Sequence, residues 1–324
     1  MKIFAEYGWD GLGALLEDEN EVFLVYDSNV AGWANEIPHV FKASMAIDVN
    51  EEAKSIATAL TVIDFLLDHN ASRDALLLAM GGGVTTDVVG WAASIYKRGI
   101  RYANLPTTLL SQVDAGIGGK NGINYRGYKN IIGAIRQPEF VWCAACTLST
   151  LDKVQIRSGA AEMLKTFIIG DAQCYTIALK QFQKGELPDA QMIATAGRIK
   201  AAIVQRDPFE DGERRILNLG HTFGHALEWY QPGKWSHGEA VAIGIVAAAR
   251  ISDLMGLTGG SLAERIGADF RSIGLPTELP VSPETLLKGI AQDKKARGDS
   301  ICFVLPIALG SVEVRELPIK SLKL

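Results

Sequence analysis

The chain has 324 residues, of which 48% are hydrophobic and 21% charged, with 33 glycines and a formal net charge of −5. That length suits about two domains with room for buried cores, and the composition excludes a collagen-like, disordered or disulfide-stapled chain. Mild acidity gives no global attraction for nucleic acid or anionic membrane, so an anionic ligand would need basic residues gathered locally.

The first ten residues are interrupted by Glu6 and Asp10, which argues against a signal peptide. The longest apolar stretch, Val241 to Ala249, is far short of a membrane span. Cys143, Cys146, Cys174 and Cys302 are the only cysteines, a usage that fits a reducing cytoplasm. Cys143 and Cys146 form a lone C-x-x-C with no second pair, better read as two buried thiols than as a zinc ribbon or redox site.

In chain order, Val22–Tyr26 reads as a buried strand closed by the turn residues Asp27-Ser28-Asn29. Glu51 to His69 carries Ile56, Ala57, Leu60, Ile63, Leu66 and Leu67 at the spacing of an amphipathic helix. Leu76–Met80 is a second strand running into Gly81-Gly82-Gly83, and Arg101–Leu105 a third, closed by Pro106. Strand–helix alternation of this kind predicts an α/β domain with a parallel sheet. From about Thr150 the pattern turns helical, over 159–183, 190–206, 214–229, 237–254 and 262–273. Two late β-like runs, 301–305 and 312–315, suggest a hairpin. The predicted fold is therefore an α/β domain over 1–148 followed by a mainly α-helical domain over 149–324.

Gly81-Gly-Gly-Val-Thr-Thr-Asp87 follows a strand and opens a helix. Backbone N–H groups and the helix dipole can meet a phosphate there, although the spacing is neither the Rossmann fingerprint nor Walker A. Residues 106–133 gather Thr107, Thr108, Asp114, Lys120, Lys129 and Asn130 among glycines. These hydroxyls, carboxylate and ammonium groups suit a polar, anionic ligand, or a Gly-rich loop with solvated lysines. His221, His225 and His237 fall within 17 positions, and their clustering favours a metal site. Helical spacing alone selects His221, His225 and Glu228 as its ligands. Glu162 and Lys165, one turn apart in an apolar helix, read either as a solvated ion pair or as a carboxylate ligand with a neighbouring cation.

Taken together these blocks resemble the 3-dehydroquinate synthase family of sugar phosphate cyclases. The resemblance runs from about Asp27 to the end through GGGVTTD, RGI at Arg98, PTTLL, VDAGIGGK, KNIIGA, SGAAEMLK, RxxxNLGHTFGHALE from Arg214, HGEAVA from His237 and DKK at 293–295. It implies an NAD-binding α/β domain, a helical metal-binding domain and a homodimer. The implied metal ligands, for zinc or cobalt, are Glu162, His221 and His237, with His225 turned to substrate instead. NAD contacts carry over to Asp27, Glu51, Lys54, Gly82, Gly83, Val84, Thr85, Thr86, Asp87, Thr107, Thr108, Lys120, Lys129, Thr147, Leu148, Ser149 and Thr150. Substrate contacts carry over to Asp114, Lys120, Asn130, Lys165, Lys200, Arg214, Asn218, His225 and one of Lys294 or Lys295, while Arg98 would reach the phosphate in a neighbouring protomer. The implied substrate is a phosphorylated sugar acid, with neither nucleic acid nor membrane as partner. Four places depart from the family pattern: Asn50, where glycine is usual; Asn121, where threonine is frequent; Asp152–Gln155; and the segment before Glu51, which is short. The rivals are a sister cyclase, an NAD- and metal-dependent polyol dehydrogenase of the same plan, and a non-catalytic homologue.

Overall fold

The computed structural model describes residues 1–282, 285–286 and 300–318. The chain divides into two units, one made of 1–151 with 189–208 and the other of 152–188 with 209–324.

The first unit is built on a six-stranded sheet. Its strands are β1 (Lys2–Glu6), β2 (Val22–Asp27), β3 (Ala43–Ile47), β4 (Leu76–Gly81), β5 (Arg101–Pro106) and β8 (Phe140–Ala144). Their order is β1-β8-β5-β4-β2-β3, with every pairing parallel. Strand β4 is buried along its whole length, as an interior parallel strand covered on both faces must be. Its side chains alternate between two cores. Leu77 and Ala79 join Val62, Phe65 and Leu66 of α3 (Ile56–Asp68) and Val88, Val89 and Ala92 of α4 (Gly83–Ile95). Leu76, Leu78 and Met80 join Leu12 of α1 (Asp10–Leu15), Ala34 of α2 (Ala31–Ala34) and Trp142 of β8.

The stretch read from sequence as a Gly-rich loop instead contains an antiparallel hairpin, β6 (Lys120–Tyr125) and β7 (Tyr128–Ile135). Arg126 and Gly127 connect the strands with φ of 49° and 81°, the paired positive φ of a type I′ turn. Glycines at 122, 127 and 133 weaken the strand signal that would otherwise have marked it.

Helix α7 (Ala190–Arg206) belongs to the first unit, although chain order placed it with the later helices. A Cβ at Gly197 would lie 3.2 Å from both Ile3 of β1 and Ile117, so a side chain there would lift the helix off the sheet edge. The change of unit near the expected boundary falls at 151/152.

The second unit holds α5 (Lys153–Gly170), α6 (Ala172–Gln183), α8 (His221–Tyr230), α9 (His237–Leu254) and α10 (Leu262–Ser272). It also holds the antiparallel hairpin of β9 (Ser300–Ala308) and β10 (Ser311–Pro318). The single helix expected over 159–183 is two, broken at Asp171, which takes an extended conformation and caps α6 by accepting from the Cys174 N–H. The helix expected over 214–229 is also two pieces, a 3-10 segment Glu213–Asn218 and then α8. Gly220 breaks it with φ of 80°, and a Cβ there would meet the Val241 carbonyl oxygen at 2.7 Å. Only glycine combines that backbone with that approach. No helix among the described residues is long and apolar enough to cross a membrane.

Candidate active site

Three side chains of the second unit converge. One ligand atom each from Glu162, His221 and His237 lies within 4.8 Å of the others. Each owes its place to a helix feature. Glu162 sits in the middle of α5 with no exposure, whereas His221 and His237 are the first residues of α8 and α9. The break at Gly220 is what puts His221 at a helix start, and the Ser236–Glu239 capping box fixes the start of α9. Gly238 then seats α9 on α5, because its N–H donates to Ser158 Oγ at 3.0 Å. A Cβ at that position would lie 2.2 Å from the Ser158 carbonyl oxygen.

The imidazoles are aimed through their other nitrogens. His221 Nδ1 lies 3.2 Å from the Leu219 carbonyl oxygen, and His237 Nδ1 lies 3.3 Å from Glu228 Oε1. Both Nε2 atoms face Glu162 Oε1, at 3.9 Å for His221 and 3.4 Å for His237. A cation bound there would take their lone pairs, displacing any Nε2 proton, while each ring keeps its proton on Nδ1. Two imidazole nitrogens and one carboxylate, with their tautomers fixed from behind, form the donor set of an open divalent-metal site. The residues present therefore fit such an ion.

Burial pushes the His221 imidazolium down to about 3, the Lys165 ammonium adds to this, and Glu162 opposes it. That favours the neutral ring, the form in which an imidazole can bind a cation. At His237 burial also disfavours charge, but hydrogen bonds to Glu162 and Glu228 outweigh it and push the ring up to about 10.

The trio chosen by helical spacing is not the one that converges. Glu228 stands behind His237, and the His225 ring packs edge-on to His221 with centroids 5.2 Å apart and 6.2 Å from His237. Lys165 is 1% exposed and touches the Glu162 carboxylate, so of the two readings given to this pair the solvated one fails. Arg214 is buried in the 3-10 segment before α8, and the Asn218 amide donates to Glu210 Oε1 at 2.5 Å. Glu210 was missed in the sequence because it lies in a short run of Pro, Asp and Gly that reads only as a turn. Lys294 and Lys295 lie outside the described residues.

In the first unit, the expected cofactor segments fall at the carboxyl ends of four adjacent parallel strands. Asp27 ends β2, Gly82 and Gly83 follow β4, Thr107 and Thr108 follow β5, and Thr147–Thr150 form a 3-10 turn after β8. Ligands of open α/β sheets bind at that edge. Gly82 is the N-cap of α4, so the first turn of that helix presents its free N–H groups beyond the strand end. Val84, partly buried, and the buried Thr85 and Thr86 follow in that turn. Gln112 locks the neighbouring turns together by donating to the Pro106 and Ala144 carbonyl oxygens and to Thr147 Oγ1, at 3.1, 3.0 and 3.2 Å.

Asp87 on α4 pairs with the nearly buried Lys54 at 2.5 Å. Burial raises its carboxyl to about 6, with Lys54 pulling the other way. Lys200 of α7 reaches Asp114 Oδ1 at 2.6 Å and the Asp114 carbonyl oxygen at 2.7 Å. Lys120, Lys129 and Asn130 are exposed on the β6–β7 hairpin. Arg98 is exposed in a turn where Lys97 and Arg98 have φ of 48° and 64°.

Residues 44–158 match the family model described as 3-dehydroquinate synthase N-terminal, and residues 159–296 match 3-dehydroquinate synthase C-terminal. The 3-dehydroquinate synthase of Bartonella quintana (strain Toulouse) is 40% identical over 309 residues, covering 92% of this chain and 81% of that protein. The chain belongs to the 3-dehydroquinate synthase family. The 3-dehydroquinate synthase of Pyrococcus abyssi is 39% identical over 85% of this chain and 81% of its own length. Among solved structures, the 2-epi-5-epi-valiolone synthase of Streptomyces hygroscopicus subsp. jinggangensis 5008, with NAD+ and Zn2+ bound, matches with a TM-score of 0.86 at 28% identity, covering 97% of this chain and 92% of that one.

Three of the departures from the 3-dehydroquinate synthase pattern have a local job. Asn50 Oδ1 accepts from the Ala53 N–H at 2.7 Å, and Asp152 caps α5 by accepting from the Gln155 N–H at 2.8 Å. Asn121 is buried and donates to the Tyr102 hydroxyl and the Arg136 carbonyl oxygen, at 3.0 and 3.2 Å.

Proposed function

We propose that this chain is a phosphate-eliminating carbon–oxygen lyase that converts 3-deoxy-D-arabino-heptulosonate 7-phosphate to 3-dehydroquinate and phosphate, on the route to aromatic amino acids. The reaction runs through transient oxidation, phosphate elimination, reduction, ring opening and an intramolecular aldol closure. When bound, NAD takes up and returns one hydride, and a divalent cation (zinc or cobalt) polarises the hydroxyl being oxidised.

The chain's own residues do the rest. Glu162, His221 and His237 hold the cation, and the strand-end segments of the first unit hold the dinucleotide. Lys165, Lys200 and Arg214 pair with the substrate carboxylate and phosphate and oppose the negative charge that grows as phosphate leaves. Asp114 accepts from a substrate hydroxyl, while Asn130, Asn218 and His225 hydrogen-bond its remaining oxygens. One of Lys294 and Lys295 adds a further cation. The departing phosphate carries away the proton whose loss drives elimination, so no dedicated base is assigned.

What supports this reading above all is the pair of Nε2 atoms directed at a fully buried Glu162 beside the buried Lys165, in a chain of this family. A homodimer in the cytoplasm completes it. Ile131 and Ile135 on β7 and Ile56, Leu60 and Leu67 on α3 are exposed apolar side chains of the first unit, available to a partner copy.

The deciding experiment is phosphate release from the heptulosonate phosphate, with and without NAD and chelator. Release that needs both NAD and metal, with no net NADH, is the expected result. NADH accumulating in step with product would instead make the chain a polyol dehydrogenase, and inertness toward this substrate but turnover of another sugar phosphate would make it a sister cyclase.

A further inference from the structure

Asn124 lies where the pairing of β6 with β7 slips, between Ile123 and Tyr125. A residue at such a slip is freed from the ladder and can turn its groups elsewhere. Its backbone N–H donates to the Lys54 carbonyl oxygen at 2.7 Å. Its amide nitrogen donates to Glu51 Oε1 at 2.9 Å and to the Glu51 carbonyl oxygen at 3.4 Å. Its amide oxygen accepts from the Asn130 N–H at 2.9 Å. Asn130 has φ of 53°, in the left-handed region that asparagine enters more readily than other non-glycine residues, and the bond from Asn124 fixes its N–H there.

A single half-buried side chain thus fastens the 51–54 turn to the position of Asn130. Lys54 in turn is paired with Asp87 on the helix that follows the glycine loop. A merely structural amide would be indifferent to what it joins. This one joins a segment assigned above to the dinucleotide with one assigned to the substrate.

We propose that Asn124 is a positioning residue that couples cofactor binding to substrate binding, by transmitting the placement of Glu51 and Lys54 to Asn130. The proposal rests on the functional reading above. Coupling of this kind is reciprocal, so each ligand tightens the other by the same factor.

The test is calorimetric titration of NAD into the metal-loaded protein, with and without a phosphonate analogue of the substrate that cannot lose its phosphorus. In the wild type the analogue should tighten NAD by roughly tenfold. In Asn124→Ala the factor should fall below about twofold, whichever ligand is added first. Asn124→Asp keeps an acceptor for the Asn130 N–H but sets a carboxylate against Glu51, so it should weaken NAD alone while analogue affinity stays within about twofold of wild type. An unchanged factor in Asn124→Ala, or no coupling in the wild type, overturns the proposal. Loss of both affinities in Asn124→Asp as well would show a purely structural role and overturn it equally. A wild type that shows coupling but releases no phosphate from the heptulosonate phosphate would instead sink the functional reading and leave the coupling standing.

Discussion

Glu228 and His237 form a carboxylate–imidazole pair, with Glu228 Oε1 3.3 Å from His237 Nδ1. Glu228 is the last member of the His221-His225-Glu228 face that helical spacing selects for metal binding. The break at Gly220 and the docking of α9 bring His237 between it and Glu162, so under the proposed function it would orient a ligand in place of being one.

Removing the carboxylate leaves the His237 ring free to turn. Glu228→Ala should therefore lower affinity for zinc by 10- to 100-fold, measured by competition with a chromophoric chelator on the protein without substrate. Glu228→Gln retains an acceptor and should lose less. His237→Ala serves as the reference and should lose most of the binding. Wild-type zinc affinity in Glu228→Ala would show that the ring is held by packing alone.

Asp87 should give NAD binding a pH dependence. Its carboxyl is raised from 3.8 to about 6, chiefly by burial, so the folded state binds this proton more tightly than the unfolded chain does. Ionising Asp87 therefore subtracts from stability progressively between about pH 4 and 6, and by a constant amount above that. Ligand binding follows the opposite trend. Only ionised Asp87 can accept from two hydroxyls and hold Lys54 as an ion pair, so NAD affinity should fall as pH drops through about 6. Titrations of NAD between pH 5 and pH 8 (about three units, spanning the shifted value) should show a bend near 6 that disappears in Asp87→Asn. An identical bend in Asp87→Asn would assign the titration to another group.

How much of this was legible in the sequence follows from where each signal lies. The strands at β2, β4 and β5 were visible because each is a compact apolar run ended by Gly, Pro or Asp. Strand β8 was hidden by its C-x-x-C reading, and β1 by its brevity and its lack of any fully buried residue. The β6–β7 hairpin was hidden by glycines that serve its turn and its close approaches. The α3 pattern was read as one core-facing stripe, yet the helix is apolar on both sides. Val62, Phe65 and Leu66 are buried, whereas Ile56, Leu60 and Leu67 remain exposed. The helix opening at His237 was legible, but helical spacing could not foresee that His221 also opens a helix or that His237 meets Glu162. These depend on the break at Gly220 and on the contact of α9 with α5, which are matters of tertiary packing. The family resemblance carried that information where periodicity could not.

The exposed apolar residues of α3 and β7 lead to the last expectation. Strand β7 pairs only with β6 among the described residues, so its outer edge carries open backbone groups beside Ile131 and Ile135. Such an edge is a self-association hazard unless a partner covers it. Arg98 lies close by in the chain fold, since a Cβ at the adjacent Gly99 would meet the guanidinium of Arg136, the residue that follows β7. If two copies meet along this edge, charges placed there should separate them. Ile131→Asp combined with Ile135→Lys should then shift the sedimentation coefficient from dimer to monomer. It should also lower kcat/KM by at least tenfold, because Arg98 could no longer serve a neighbouring site (one lost charge-assisted hydrogen bond is worth roughly 1.5–3 kcal/mol). Arg98→Ala in an intact dimer should reproduce the kinetic loss without the change in sedimentation. A double variant that becomes monomeric yet keeps full activity would show that each chain completes its own site, and the role assigned to Arg98 would fall.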